Sequence, residues 1–159
     1  MSIPGKVVIN MSELKLKISE NIKQAMRAQA KQRLSTLRMA SAAIKQKEVD
    51  ERIELSDSQI MDILSKMIKQ RKESVTHFVN AGRTDLSQKE QVEIAILEEF
   101  LPTPLSALEI DDLIQDTLAT TGATSVKDLG TVMTALKLRA AGRADMAILG
   151  QKVKAWLNR

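Results

Sequence analysis

The chain has 159 residues, of which 43% are hydrophobic and 28% charged, with a formal net charge of +4. That length holds one domain or two small ones, and that composition folds rather than staying disordered. The lack of cysteine excludes disulfides, thiolate metal sites and cysteine nucleophiles, the lone His77 excludes a multi-histidine centre, and no apolar run reaches the roughly 20 residues that cross a bilayer.

A cysteine-free sequence without a membrane span is expected in the cytoplasm. Aromatics are confined to Phe78, Phe100 and Trp156, so aliphatic residues and 8 methionines must fill the core. With 6 glycines and 3 prolines the chain is poor in breakers, which favours long helices.

Residues 1–10 read as an extension, and their Val7-Val8-Ile9 run is too short for a signal-peptide core. Asn10 with Glu13 three positions on has the spacing of a capping box for a first helix, which carries Leu14, Ile18, Ile22 and Met26. Register is lost over 28–31, which predicts a break. A second helix carries Leu34, Leu37, Ser41 and Ile44 and closes in the acidic stretch 48–52. Ser56 with Gln59 opens a long third helix, with Ile60, Ile63, Leu64, Met67, Ile68, Arg71, Val75 and Phe78 on one face. Gly82 ends it in a left-handed cap.

Asp85, or Ser87 with Glu90, restarts a fourth helix. Ile94, Leu97 and Leu101 mark one of its faces and Val92, Ile96 and Phe100 another, so it is expected between neighbours. Pro102-Thr103-Pro104 stops it, because proline lacks an amide donor and disfavours helix before itself. Ser106 with Glu109 caps a fifth helix bearing Ile110, Leu113, Ile114 and Leu118, ended by Gly122. Ser125 with Asp128 caps a sixth bearing Leu129, Val132, Met133 and Leu136, where Gly130 would admit a close helix. Gly142 turns the chain into a seventh with Met146, Leu149, Val153, and Trp156 or Leu157. No strand pattern persists. The expected fold is all-α: a helical N-terminal domain with long helices over 11–101, a proline-containing linker at 102–104, and a small three-helix domain over 105–159.

The charge is segmented. Residues 1–47 hold ten Lys/Arg against Glu13 and Glu20, a net +8, and residues 126–159 hold seven against Asp128 and Asp145, a net +5. Acids gather at 48–62, 85–99 and 109–116. Two basic regions suit a polyanion held at two points, although such faces also pair with acidic ones or simply solvate. Scarce aromatics argue against base stacking, so a nucleic-acid partner would be folded or duplex RNA.

No catalytic constellation emerges. Glu98-Glu99 and Asp111-Asp112 are adjacent on helices and diverge by about 100°. His77 has no paired nucleophile, and no phosphate loop occurs. Arg71 lies on an apolar stripe, either as a buried guanidinium bonded to an acid such as Glu98 or Glu99, or as an RNA contact. Gly82-Arg83 and Gly142-Arg143 each place a cation beside a helix end.

Several motifs together resemble the YqeY family, also called GatB/YqeY-domain proteins. They are Arg33-Leu34-Ser35-Thr36-Leu37-Arg38-Met39, Lys69-Gln70-Arg71-Lys72-Glu73-Ser74, Ala81-Gly82-Arg83-Thr84-Asp85-Leu86 and Glu93-Ile94-Ala95-Ile96-Leu97-Glu98-Glu99-Phe100-Leu101-Pro102. Lys127-Asp128-Leu129-Gly130-Thr131-Val132-Met133 and Gly142-Arg143-Ala144-Asp145 complete the set. The segment 135–139 lacks the proline frequent in the family between the last two helices, and Leu149-Gly150-Gln151 replaces a more usual Val-Asn pattern.

The resemblance implies an all-helical fold whose C-terminal domain is similar to the GatB tail of glutamine-dependent tRNA amidotransferase. That tail helps hold tRNA, while the ammonia-transfer and phosphoryl chemistry occurs in other domains and subunits, which have no counterpart in this sequence. The implied protein is a non-catalytic, tRNA-associated one. Lys127, Lys137, Arg139, Arg143, Lys152 and Lys154 would contact phosphates, with Lys69, Arg71, Lys72 and Arg83 as a second surface. No cofactor or metal is implied. The alternative is an adaptor or accessory factor docking on an amidotransferase or other translation enzyme. A label of carbon–nitrogen ligase with glutamine as amido-N-donor would transfer through the shared tail without implying intrinsic activity.

Overall fold

The computed structural model describes residues 12–159. It contains α1 (Glu13–Arg27), α2 (Lys31–Glu51), α3 (Asp57–Asn80), α4 (Thr84–Glu98), α5 (Ala107–Thr121), a single 3-10 turn (Val126–Asp128), α6 (Leu129–Ala140) and α7 (Met146–Leu157). Among the described residues there is no strand, so the all-α expectation holds. The described residues divide into two compact units, one ending at Phe100 and the other spanning Leu101–Arg159.

In the first unit α2 packs against each of α1, α3 and α4, and α3 and α4 form a long hairpin. The hairpin turns at Gly82, whose φ of +69° lies in the left-handed region that costs glycine little. The core is Ile18, Ala25, Leu37, Ala40, Ile44, Leu55, Ile60, Leu64, Met67, Ile68, Ile96, Leu97 and Phe100. It is an aliphatic interior with one aromatic, as the composition requires. Thr36 is buried within it and satisfies its hydroxyl on the Gln32 carbonyl at 2.9 Å.

Several local expectations change, among them Ser41, which is exposed while Ala40 takes the interior position on α2. The N-cap of α1 is Ser12, whose Oγ accepts from the Lys15 amide, and Asn10 lies outside the described residues. Met26 is exposed and Ala25 is buried with Ile18, because seven residues complete nearly two turns and position 26 is swung about 100° beyond them. α4 begins at Thr84, so Ser87 sits inside the helix, buried, and donates to the Thr84 carbonyl at 3.0 Å. Val92 is correspondingly exposed, and Glu93 takes the interior position beside it.

Glu48 ties the start of the unit together. It accepts from Lys15 Nζ at 2.7 Å and from the Leu55 amide at 3.1 Å, joining α1, α2 and the entry to α3. The Lys15 bond chiefly, helped by the Leu55 amide and opposed by desolvation, holds its carboxyl below the ordinary 4.5. A depressed carboxylate pKa contributes stability that is full above the unfolded value and disappears as pH falls through the folded one. Glu48→Gln is therefore expected to lower stability by about 1–2 kcal/mol at pH 7. In urea titrations the gap to the parent should close below pH 4.5. A gap independent of pH would show that the charge does not contribute.

The second unit is a three-helix arrangement of α5, α6 and α7 around Ile114, Val132, Leu136, Ala140, Leu149 and Val153. α5 opens with the expected capping box: the Ser106 amide donates to Glu109 at 3.0 Å, and the Glu109 amide donates to Ser106 Oγ at 3.1 Å. Ser125 precedes the 3-10 turn rather than α6 itself. The Asp128 carboxylate accepts from the Thr124 and Ser125 amides at 2.9 and 3.2 Å, which hold its pKa below the ordinary carboxylate range. Gly130 does not mediate close packing, since a Cβ there would meet nothing within 4 Å. The α6–α7 turn uses Ala141 and Gly142 at φ +47° and +77°.

Candidate nucleic-acid interface

The C-terminal cations are placed by α6, α7 and the turn between them. On α6 the buried Val132, Leu136 and Ala140 fix the inward direction. Lys137 and Arg139 are separated by about 200° of helix rotation and flank that direction on opposite sides. Arg139 leans toward α5, its guanidinium donating to Thr117 Oγ1 at 3.3 Å. On α7 the buried Leu149 and Val153 play the same orienting part. Lys152 turns to α5 and pairs with Asp111 at 3.2 Å, while Lys154 faces elsewhere and is exposed. The six expected contacts therefore do not form one face.

Arg143 has a structural assignment. Its Nε donates to the Thr103 carbonyl at 2.8 Å, its carbonyl accepts from the Leu105 amide at 2.8 Å, and its Nη2 lies 3.9 Å from Glu109. These bonds tie the proline-containing segment to the α6–α7 turn. Lys127 in the 3-10 turn, Lys137 and Lys154 are exposed and have no ion pair among the described residues. Arg159, which sequence reasoning did not single out, stacks over Trp156 with its guanidinium 4.2 Å from the ring centroid. The aromatic near the chain end was the available signal.

The second set is divided in the same way. Lys69 and Lys72 are exposed on α3. Arg71 takes the structural of its two expected roles, but with Glu93 at 2.9 Å instead of Glu98 or Glu99. Glu99 pairs with Arg33. Arg83 pairs with Asp85 through Nε–Oδ1 at 3.2 Å and Nη2–Oδ2 at 3.1 Å, and the guanidinium lowers the aspartate pKa. Among the described residues no three His, Asp or Glu side chains converge on a metal-sized site, and no helix is long and apolar enough to cross a membrane.

The fold and its surface define a small all-helical protein with basic faces. A family model described as "Yqey-like protein" matches residues 15–157, and the chain belongs to the YqeY family. A relative from Eremothecium gossypii, named "Altered inheritance of mitochondria protein 41, mitochondrial", is 36% identical over 94 residues, 58% of this chain and 51% of its own length. The Kluyveromyces lactis protein of that name is 38% identical over 84 residues, 52% of this chain and 45% of its own. The Pyrenophora tritici-repentis one is 32% identical over 144 residues, 87% of this chain and 77% of its own. The chain thus spans about half the length of the first two relatives.

These names correct the expectation of a cytoplasmic location, because the relatives are named as mitochondrial proteins. That expectation rested on missing cysteines and membrane spans, which report on redox chemistry and hydropathy and so do not single out one compartment.

Proposed function

We propose that this YqeY-family protein is a non-catalytic, tRNA-associated protein that holds RNA through its C-terminal helices. The observation that carries the reading is the division among the basic side chains. Arg139, Arg143 and Lys152 are engaged by Thr117, Thr103 and Asp111, whereas Lys127, Lys137 and Lys154 remain exposed and unpaired among the described residues. The engaged residues set the local scaffold, and the unpaired lysines supply charge to phosphates, a sequence-independent contact that releases counterions.

The test is tRNA binding across a salt series. Replacing Lys127, Lys137 and Lys154 together by Ala is expected to weaken binding tenfold or more and to reduce the log–log salt slope by roughly 2–3. No binding by the parent at low salt, or an unchanged slope in the variant, would overturn the reading.

A second reading, an adaptor on an amidotransferase or other translation enzyme, is favoured by Leu138. This side chain is 80% exposed, points away from the α6 core direction and stands between Lys137 and Arg139. An isolated apolar residue is ordinary on a surface, so the reading requires a nuclease-resistant partner whose capture is lost in Leu138→Ser. On either reading the chain alone catalyses no glutamine-dependent amidation.

A further inference from the structure

The side of α2 turned away from its three packing partners carries a regular ladder of charge. Thr36, Leu37, Ala40 and Ile44 are buried and define the inward direction. Lys31, Arg38 and Lys45 recur at seven-residue intervals, all exposed. Seven residues make nearly two turns and rise about 10.5 Å, so the three cations share one outward stripe about 21 Å long. The exposed Ser35 and Ala42 stand between them on that stripe, and their short side chains leave room for a polymer backbone.

The stripe is also unneutralised. From Lys31 to Lys47 the helix has five Lys/Arg and no acid. Arg33 is taken by Glu99 and by Asn21 at 2.8 Å, and Lys47 lies 3.9 Å from Glu51. Lys31, Arg38 and Lys45 have neither an ion pair nor a side-chain hydrogen bond among the described residues. The acids around α2 are largely committed: Glu48 to Lys15, Glu93 to Arg71, Glu99 to Arg33, and Asp85, in the groove beside Lys31, to Arg83. Glu54 shares the groove beside Lys45 without pairing to it.

We infer that the outward side of α2 is a binding site for the backbone of duplex or folded RNA, with Lys31, Arg38 and Lys45 each neutralising a phosphate. Cations spaced about 10.5 Å apart along one stripe can each reach a separate phosphate of a polyanionic backbone. No aromatic side chain lies on the stripe, so recognition is by backbone and shape, without base stacking. A membrane surface suits the stripe less well. An interfacial helix needs an apolar face free to enter lipid, and the apolar side of α2 is occupied by its own unit. The site does not depend on the C-terminal reading.

The experiment uses the full chain with a 20-base-pair RNA duplex in a salt series. The variant K31Q/R38Q/K45Q should keep the parent's melting curve, lose tenfold or more in affinity, and show a salt slope smaller by roughly 2–3. Lys31→Arg with Lys45→Arg should bind like the parent. An unchanged slope in the Gln variant overturns the site, as does a parent that fails to bind the duplex at low salt. Tighter binding to phosphatidylserine vesicles, or to polyglutamate, than to RNA also overturns it. The Lys127/Lys137/Lys154 variant separates the two surfaces. Loss of binding there with none in the α2 variant leaves only the C-terminal reading, and the reverse pattern leaves only the α2 site.

Discussion

Replacing Glu93 by Ala is expected to destabilise the first unit by about 3–5 kcal/mol, the usual cost of stripping one partner from a buried ion pair. Glu93 accepts from Arg71 Nε at 2.9 Å, and the two side chains are only 9% and 13% exposed. Arg71 makes one further bond to a protein oxygen, from Nη1 to the Met67 carbonyl at 3.2 Å, and its Nη2 lies 3.7 Å from Met39 Sδ. Without Glu93 the guanidinium keeps its charge, because an arginine side chain is not deprotonated inside a protein. It must then stay uncompensated between helices or drag water in.

The partner-swap control separates charge from packing. Arg71→Met with Glu93→Leu removes both charges and should recover most of the loss, since apolar replacement of a whole buried pair is often neutral or better. The exposed Arg83–Asp85 pair, at 56% and 65%, should show no measurable change on Asp85→Asn, because solvent screens it. Guanidinium unfolding of the four chains decides the matter. A Glu93→Ala loss below about 1 kcal/mol would mean that the pair is hydrated and contributes as a surface bridge does.

The same pair shows what the sequence made legible. Arg71 stood out because a cation interrupts an apolar stripe of period 3.6, and that pattern is local to one helix. Its partner is not local. Glu93 lies 22 positions away, and Glu98 and Glu99 are equally plausible until the α3–α4 hairpin sets which turns face each other. Helix existence was legible for a related reason: caps such as Ser56 with Gln59 and Ser106 with Glu109 are short-range and chemically specific. Ser87 with Glu90 has the same spacing and is interior, because the helix had already begun at Thr84. In the candidate interface, residue type identified the cations but not their commitments. Arg143 and Lys137 read alike in sequence, yet one is bonded to the Thr103 carbonyl and the other is exposed and unpaired among the described residues. The heptad interval of Lys31, Arg38 and Lys45 was present in the sequence throughout. It acquired meaning only when Thr36, Leu37, Ala40 and Ile44 fixed which side of α2 is inside.

Leu136 and Leu138 offer a sharper test of how α6 is oriented. Leu136 is fully buried among Ile114, Val132, Ala140, Leu149 and Val153, whereas Leu138, about 200° further round the helix, is 80% exposed. Leu136→Ala should cost about 3–4 kcal/mol through lost transfer energy and a residual cavity. At roughly 0.05–0.15 kcal/mol per residue a unit of this size has little to spare, so its melting point should drop by 10 °C or more. Trp156, the single tryptophan, packs against this core and reports its unfolding by fluorescence. Leu138→Ala should stay within about 0.5 kcal/mol of the parent, as surface substitutions do. Equal losses in the two variants would mean that α6 is rotated from the orientation described. The consequence reaches the RNA reading, because Leu136 sets the directions of Lys137 and Arg139. Leu136→Ala should therefore also weaken tRNA binding near its lowered melting point, while at low temperature, with α6 still docked, binding should match the parent.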